Sequence, residues 1–287
     1  MKIALIGADG QLGTDLQKVI PAAELIPLTI KDIDITDLNR VEKVLLKYKP
    51  NAIINTAAFH RVDDCEADDS LALKVNATGV KNLCQAALKN NSVLLHLSTD
   101  YVFDGSKKTP YTENDCPCPG TAYGISKLAG EQYIRYLLDK YFIVRSSGLF
   151  GTRGCMASGG LNFIELMLKL AREKDKVRVV SDQIISPTYT LDLAKKIYQL
   201  LQTEHFGTYH ITNNGKCSWY EFAKKVFELT NTKVVLEKTT AAEFKAKAKR
   251  PAYSVLDNSN LRRLGMDDLQ TLDQALVAYL KEKDLLK

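Results

Sequence analysis

No apolar stretch in this 287-residue chain approaches the ~20 residues a helix needs to cross a bilayer, so no membrane-spanning helix and no membrane partner are expected. Excess charge of one sign is also scarce: 39 Lys and Arg stand against 34 Asp and Glu, a formal charge of +5. That surplus is scattered rather than gathered into a dense basic tract. It suits a small anionic substrate, and no nucleic-acid partner is expected. The six cysteines (Cys65, Cys84, Cys116, Cys118, Cys155 and Cys217) lack metal-ligand spacing. Cys116-Pro117-Cys118 comes nearest to a metal or redox pair, but neither a second pair nor an adjacent histidine accompanies it. Ordinary reduced thiols and no metal site are expected. The apolar run Ile3 to Ile6 is too short for a secretory leader and leads straight into a glycine loop, so a cytoplasmic protein is expected. Internal repeats, low-complexity tracts and long linkers are missing as well. A 45% hydrophobic composition then supports one large domain with a smaller lobe packed on it.

Short apolar runs alternate with longer amphipathic ones through the first half. Strands are predicted at Lys2–Ile6, Glu24–Leu28, Ala52–Asn55, Val93–Leu97 and Phe142–Val144. Helices are predicted over Gln11–Ile20, Asp37–Tyr48, Ser70–Leu88 and Tyr123–Leu138. Near-continuous apolar strands alternating with helices predict an α/β protein with a doubly wound parallel sheet, covered on both faces. The second half is less regular. Helices are predicted over Phe163–Ala171, Leu191–Leu201 and Trp219–Thr230, with short strands at Val177–Val180 and Tyr209–Ile211.

Gly7-Ala8-Asp9-Gly10-Gln11-Leu12-Gly13 follows the first strand and opens the first helix. Gly7 can take a turn that side chains forbid, Gly10 lets the backbone approach a pyrophosphate, and Gly13 lets the helix pack on the sheet. The helix N-terminus presents free N–H groups to phosphates. A glycine triplet alone is weak, but here it stands between a strand and a helix, the context that a Rossmann-type dinucleotide site requires. Residues 1–150 are therefore expected to form a Rossmann-type dinucleotide-binding domain, with later segments returning to it. Residues 151–287 are expected to form mainly a smaller mixed α/β substrate-binding lobe, with a cleft between. After the second strand the usual acidic residue is missing from Ile26-Pro27-Leu28-Thr29-Ile30-Lys31. A carboxylate there would bind the ribose of NADH and repel a 2′-phosphate, so its absence leaves NADPH as well as NADH open.

Tyr123-Gly124-Ile125-Ser126-Lys127 places a phenol and an ammonium four residues apart, on one helical face. A phenol near pKa ~10 exchanges protons poorly at neutral pH. A neighbouring ammonium favours the phenolate, so Tyr123 can protonate a carbonyl oxygen as hydride reaches the carbon. Upstream, Leu97-Ser98-Thr99 ends a strand in two hydroxyls, at the sheet edge where open α/β folds bind ligands. A hydroxyl there can orient a substrate carbonyl; the alternative is a turn cap.

With these residues in place, the chain resembles the extended short-chain dehydrogenases/reductases, and in its finer motifs the dTDP-4-dehydrorhamnose reductase family. The matching stretches are Gly10-Gln11-Leu12-Gly13, Asp34-Ile35-Thr36-Asp37, Asn55-Thr56-Ala57-Ala58 with Val62-Asp63, and Ser98 to Gly105. Tyr123 to Glu131, Asp182-Gln183 with Ser186-Pro187-Thr188, and Arg250 to Leu256 continue the match over nearly the whole chain. The resemblance implies that Thr99, Tyr123 and Lys127 are catalytic. It implies that Gly7, Gly10, Gln11, Leu12, Gly13, Asp34, Ile35, Ala57 and Ala58, with Tyr123 and Lys127, hold NADPH or NADH. It places Thr99, Asp100, Val102, Asn162, Gln183 and Arg250 on a nucleotide-sugar substrate, Arg250 suiting a diphosphate. A homodimer is compatible with it.

Two departures from the family pattern stand out. Gly148, in Arg145-Ser146-Ser147-Gly148, occupies the place of a frequent tryptophan that would touch the sugar ring. Leu191 replaces an acidic residue that some members use to bind magnesium, so no magnesium site is expected. The function implied is NAD(P)H-dependent reduction of the C4 keto group of dTDP-4-dehydro-L-rhamnose. The alternatives are another nucleotide-sugar ketoreductase or epimerase, or a non-catalytic role resembling the regulatory subunit of methionine adenosyltransferase. The intact Thr99, Tyr123 and Lys127 argue against the last.

Overall fold

The computed structural model describes residues 1–154 and 160–286. The first half runs β1 (Ile3–Ile6), α1 (Gln11–Val19), β2 (Leu25–Leu28), α2 (Leu38–Tyr48), β3 (Ala52–Asn55), α3 (Val62–Ala67), α4 (Asp69–Leu73), α5 (Gly79–Asn90), β4 (Val93–Thr99), α6 (Ala122–Leu137) and β5 (Tyr141–Ser146). The second half runs β6 (Leu149–Phe150), α7 (Phe163–Glu173), β7 (Lys176–Val180), β8 (Ile184–Ile185), β9 (Thr188–Tyr189), α8 (Thr190–Leu201) and β10 (Gly207–His210). It continues through β11 (Cys217–Ser218), α9 (Trp219–Leu229), β12 (Val235–Thr239), α10 (Ala241–Phe244), α11 (Ser259–Arg263) and α12 (Leu272–Glu282).

Six strands form one parallel sheet in the order β10-β5-β4-β3-β1-β2. Every residue of β1 and β3 is buried, because helices cover both faces of the sheet. On one face Leu12 and Leu16 of α1 pack with Leu193, Ala194 and Ile197 of α8. On the other, Val41 and Leu45 of α2 pack with Val80 and Leu83 of α5 and Ile134 of α6. This is the α/β doubly wound, Rossmann-type architecture. The strand order reverses between β1 and β3, so the C-terminal ends of these strands open a crevice. The smaller lobe has its own core, in which Ile164 and Met167 of α7, Phe222 and Val226 of α9, and Leu276 and Tyr279 of α12 meet Val177 and Val179 of β7. No helix among the described residues is long and apolar enough to cross a membrane.

The single helix predicted over Ser70–Leu88 is interrupted. A π-helical turn at Lys74–Thr78 joins α4 to α5. It carries the buried Asn76, whose Oδ1 accepts from the Phe59 N–H at 2.9 Å and whose Nδ2 donates to Ser126 Oγ at 3.0 Å. A polar side chain that ties α6 to the loop after β3 explains the local widening.

Candidate active site

The crevice between β1 and β3 begins with the glycine loop. Gly7 leaves β1 with φ +82°, and a Cβ there would lie 2.6 Å from Thr56 Oγ1. A Cβ on Gly13 would overlap the Gly7 carbonyl oxygen, so both positions exclude side chains. Helix α1 takes Gly10 as its N-cap and carries no acidic residue in its first turn. Gln11 Oε1, at the head of that helix, is buried without a hydrogen-bond partner. Unpaired first-turn amides and a floor cleared of side chains fit the pyrophosphate of a dinucleotide, while the Gln11 acceptor is open to a hydroxyl or amide donor. Across the crevice, Ala57 and Ala58 follow β3, with the Ala57 N–H donating to Asn55 Oδ1 at 3.1 Å.

The expected cofactor residues Asp34 and Ile35 divide. Asp34 accepts from the Thr36 N–H at 2.9 Å and the Thr36 hydroxyl at 2.8 Å, which hold its carboxyl below the usual range. Ile35 is buried in the core, and its carbonyl accepts from Asn82 at 2.9 Å. Beyond β2, Asp32 accepts both the N–H and the hydroxyl of Thr29. Arg40 donates to the carbonyls of Lys31 and Asp32. Arg40 thus joins Lys31 at this rim, a position that eight residues of intervening turn and helix obscure in the sequence.

Strand β4 ends at Thr99, whose hydroxyl donates to Asp100 Oδ1 at 3.1 Å and accepts from the Tyr101 N–H at 3.2 Å. Asp100 is buried and also accepts the hydroxyls of Ser147 at 2.8 Å and Ser254 at 2.6 Å. Burial outweighs these hydrogen bonds and pushes its carboxyl up to about 6. Asp100 therefore ties three segments together, and Val102 behind it packs into a small core with Phe103, Tyr111 and Leu256. The structure does not bring the Val102 side chain to the cleft, because it is wholly buried.

Tyr123 is the second residue of α6, which the Thr121 hydroxyl caps by accepting from the Gly124 N–H at 3.1 Å. Its ring meets Tyr101 edge to face, with centroids 5.7 Å apart. Burial raises the Tyr123 phenol above its ordinary range, and the Thr99 side chain acts in the opposite direction. One turn later Lys127 is buried, its Nζ donating to the Leu97 carbonyl at 2.7 Å and lying 3.0 Å from His96 Nε2. Burial lowers its pKa to about 7, with Glu131 opposing. The expectation that the Lys127 ammonium sets the phenol is therefore corrected for the free protein. Burial is the largest influence on Tyr123, and Nζ is directed at Leu97 and His96.

A cleft of about 730 Å³ opens beside Tyr101, lined by Phe163, Arg178, Gln183, Trp219 and Arg250 among others. Gln183 and Arg250 are thus brought together. Asn162 is not: it caps α7, accepts from the Glu165 N–H at 3.0 Å, and donates to the Gly151 carbonyl at 2.9 Å and to Tyr279 Oη at 2.8 Å. With both amide protons spent on Gly151 and Tyr279 and Oδ1 on the Glu165 N–H, it stands as a structural cap. Arg250 pairs with Asp63 and lowers the pKa of its carboxyl. Trp219 and Arg178 were not expected from the sequence; the lone tryptophan beside basic residues is the signal that could have marked them.

Cys65, Cys84, Cys116, Cys118 and Cys217 are free thiols, while Cys155 lies outside the described residues. Among the described residues no group of three His, Cys, Asp or Glu side chains could hold a metal ion.

The profile of the RmlD substrate binding domain family matches residues 1–285. The chain is 39% identical to the spore coat polysaccharide biosynthesis protein SpsK of Bacillus subtilis over 284 residues, covering 98% of each. It is 39% identical over 277 residues to a dTDP-4-dehydrorhamnose reductase of Aggregatibacter actinomycetemcomitans, covering 91% of this chain and 92% of that one. Among solved structures, the dTDP-4-dehydrorhamnose reductase of Bacillus anthracis in complex with NADP superposes with a TM-score of 0.94 at 40% identity, covering 98% of this chain and 100% of that one.

Proposed function

The chain belongs to the RmlD substrate binding domain family, and from that premise we propose that it reduces the C4 keto group of dTDP-4-dehydro-L-rhamnose with NADPH, giving dTDP-L-rhamnose. The observation that carries this reading is the convergence of Thr99, Tyr123 and Lys127 at the C-terminal edge of the sheet, between the glycine loop and the cleft that holds Gln183 and Arg250. When bound, the nicotinamide supplies hydride to the carbonyl carbon. The relative from Bacillus anthracis, described in complex with NADP, supports NADPH as the donor.

In this reading Tyr123 holds the proton that the carbonyl oxygen receives. Burial keeps the phenol protonated, so the proton is in place at neutral pH, although it makes the phenol of the free protein a weaker acid. The Thr99 hydroxyl donates to Asp100 Oδ1 in the free protein, and it orients the carbonyl oxygen by turning that donor to the substrate. Arg250, already oriented by Asp63, faces the diphosphate. Residues 1–150 supply the cofactor side in this proposal, and residues 151–287 mainly the substrate side.

One observation favours a sister substrate. Gly148 leaves no ring-sized contact where the family often has tryptophan, and a dTDP-4-keto-6-deoxy-D-glucose reductase of Streptomyces niveus is 36% identical over 274 residues. Purified protein mixed with NADPH and each of the two dTDP-4-keto sugars, with NADPH absorbance followed, tests both readings. Turnover of the rhamnose precursor is expected to be the faster. Turnover of the other sugar alone moves the assignment to that substrate, and silence with both overturns the reductase reading.

A further inference from the structure

Behind Lys127 runs a line of three polar side chains enclosed by the sheet: Asn55 on β3, His96 on β4 and Lys127 on α6. His96 and Asn55 are wholly buried and Lys127 nearly so. The Asn55 Oδ1 accepts from the Ala57 N–H at 3.1 Å, which turns Nδ2 toward His96 Nδ1 at 3.0 Å. An amide nitrogen only donates, so Nδ1 must accept. A neutral imidazole that accepts at Nδ1 carries its proton on Nε2. That N–H faces Lys127 Nζ at 3.0 Å. An ammonium has no lone pair to receive it, whereas a neutral amine has one. The second contact of Nζ, with the Leu97 carbonyl at 2.7 Å, is available to either form. Every polar atom of the line is therefore paired when Lys127 is uncharged, and one contact sets donor against donor when it is charged. In a buried site such a contact is costly.

We propose that His96, with its tautomer fixed by Asn55, is a positioning residue that holds Lys127 as a neutral amine in the free protein. This rests on the catalytic reading of Lys127 given above. The surrounding charges do not overturn it. Glu131, one turn along α6, would favour the ammonium, but its carboxylate is taken by Arg145 at 2.6 and 2.9 Å, by Arg135 at 3.0 Å and by the Ser98 hydroxyl at 2.6 Å. Asp100 at the end of β4 is engaged by three hydroxyls, and Tyr123 precedes Lys127 by one turn as a neutral phenol. Burial acts in the same direction on both bases: it brings Lys127 to about 7 and holds His96 well below the usual imidazole range.

Nitrogen NMR of the full chain labelled with 15N-histidine reads the tautomer without any turnover. The chain has four histidines, and His96 is assigned by the signal lost in His96→Gln. Should that variant fail to fold, replacing His60, His205 and His210 one at a time assigns His96 by elimination. The expected result is a neutral ring protonated at Nε2, with Nδ1 as acceptor. A ring protonated at Nδ1, or an imidazolium, overturns the proposal while leaving the reductase reading intact. In the second arm, His96→Gln offers Lys127 a carbonyl oxygen that an ammonium can use. The limb of the kcat/KM profile governed by Lys127 in the free protein should then move up by about one pH unit or more. An unmoved limb sinks the proposal. Failure of the reductase reading itself would appear separately, as absent turnover in the unsubstituted protein.

Discussion

Arg250 grips Asp63 at two points, Nη2 to Oδ2 at 2.7 Å and Nη1 to Oδ1 at 3.3 Å, although the two residues lie 187 positions apart. Asp63 also accepts from the Ala248 N–H at 2.9 Å, so the segment before Arg250 is pinned as well. The pair fixes the plane of a guanidinium on the cleft wall, and a planar fork is what a diphosphate reads. Arg250→Ala should weaken dTDP binding by about tenfold or more, in line with a charged hydrogen bond of ~1.5–3 kcal/mol, and leave NADPH binding nearly unchanged. Calorimetry with both ligands checks this. The reverse order would move Arg250 out of the substrate site.

Tyr123→Phe should fold as the unsubstituted protein does and lose about 10²–10⁴-fold in turnover, the usual contribution of a placed proton donor. The ring keeps its edge-to-face contact with Tyr101, so the melting temperature should barely move. Comparable turnover by the variant would remove Tyr123 from the role of acid.

Much of this arrangement is legible in the sequence, and the exceptions have physical reasons. Strands β1 and β3 are buried on both faces, so they read as unbroken apolar runs. The glycine loop and the Tyr123–Lys127 spacing are local patterns, and local patterns survive in a string of letters. The Asp63–Arg250 pair and the hydroxyl cluster on Asp100 join distant segments, for which no periodicity exists. The two-residue strands β6, β8, β9 and β11 are too short to show an alternation. Helix α12 is a different case. Thr271 and Gln274 form a capping box, and Leu272, Ala275, Leu276, Tyr279 and Leu280 share its buried face, so its pattern is present although no helix is predicted there. Val102 and Asn162 show the converse, since motif position places them near substrate and packing takes them inside.

Asp100 should leave a signature in the pH dependence of stability. Its folded-state value of about 6 lies above the ordinary 3.8, because burial disfavours the carboxylate. Between those values the folded chain holds a proton that the unfolded chain has released. The stabilisation from this group is therefore fully present below 3.8 and is lost as pH rises through about 6. Its size is roughly 3 kcal/mol. Asp100→Asn abolishes the titration, so its stability relative to the unsubstituted protein should improve between about pH 4 and about pH 7. Urea unfolding at the two ends of that window checks the sign. A difference that does not change across it would show that Asp100 ionises in the folded protein as it does in the unfolded one.

Gly148 ties the family departure to a backbone conformation. Its φ is +53°, in the left-handed region that side chains rarely adopt. A Cβ there would stand 3.0 Å from Ile185 Cδ1 and 3.2 Å from Pro187 Cα. The isoleucine tip can give way, but the proline backbone cannot do so without moving the segment that leads into β9. Restoring the larger residue is therefore not a local exchange. Gly148→Ala should cost about 1–2 kcal/mol through the dihedral angle alone. Gly148→Trp should cost more, since its ring must also displace Ile185 or Pro187. If contact with a large apolar side chain is what the sugar requires, Gly148→Trp should lower KM for the rhamnose precursor despite that loss, while Gly148→Ala should not. Steady-state kinetics beside urea denaturation separates the two effects. A tryptophan variant as stable as the unsubstituted protein would show that this turn relaxes freely, and an unchanged KM would show that Gly148 marks no constraint on the substrate.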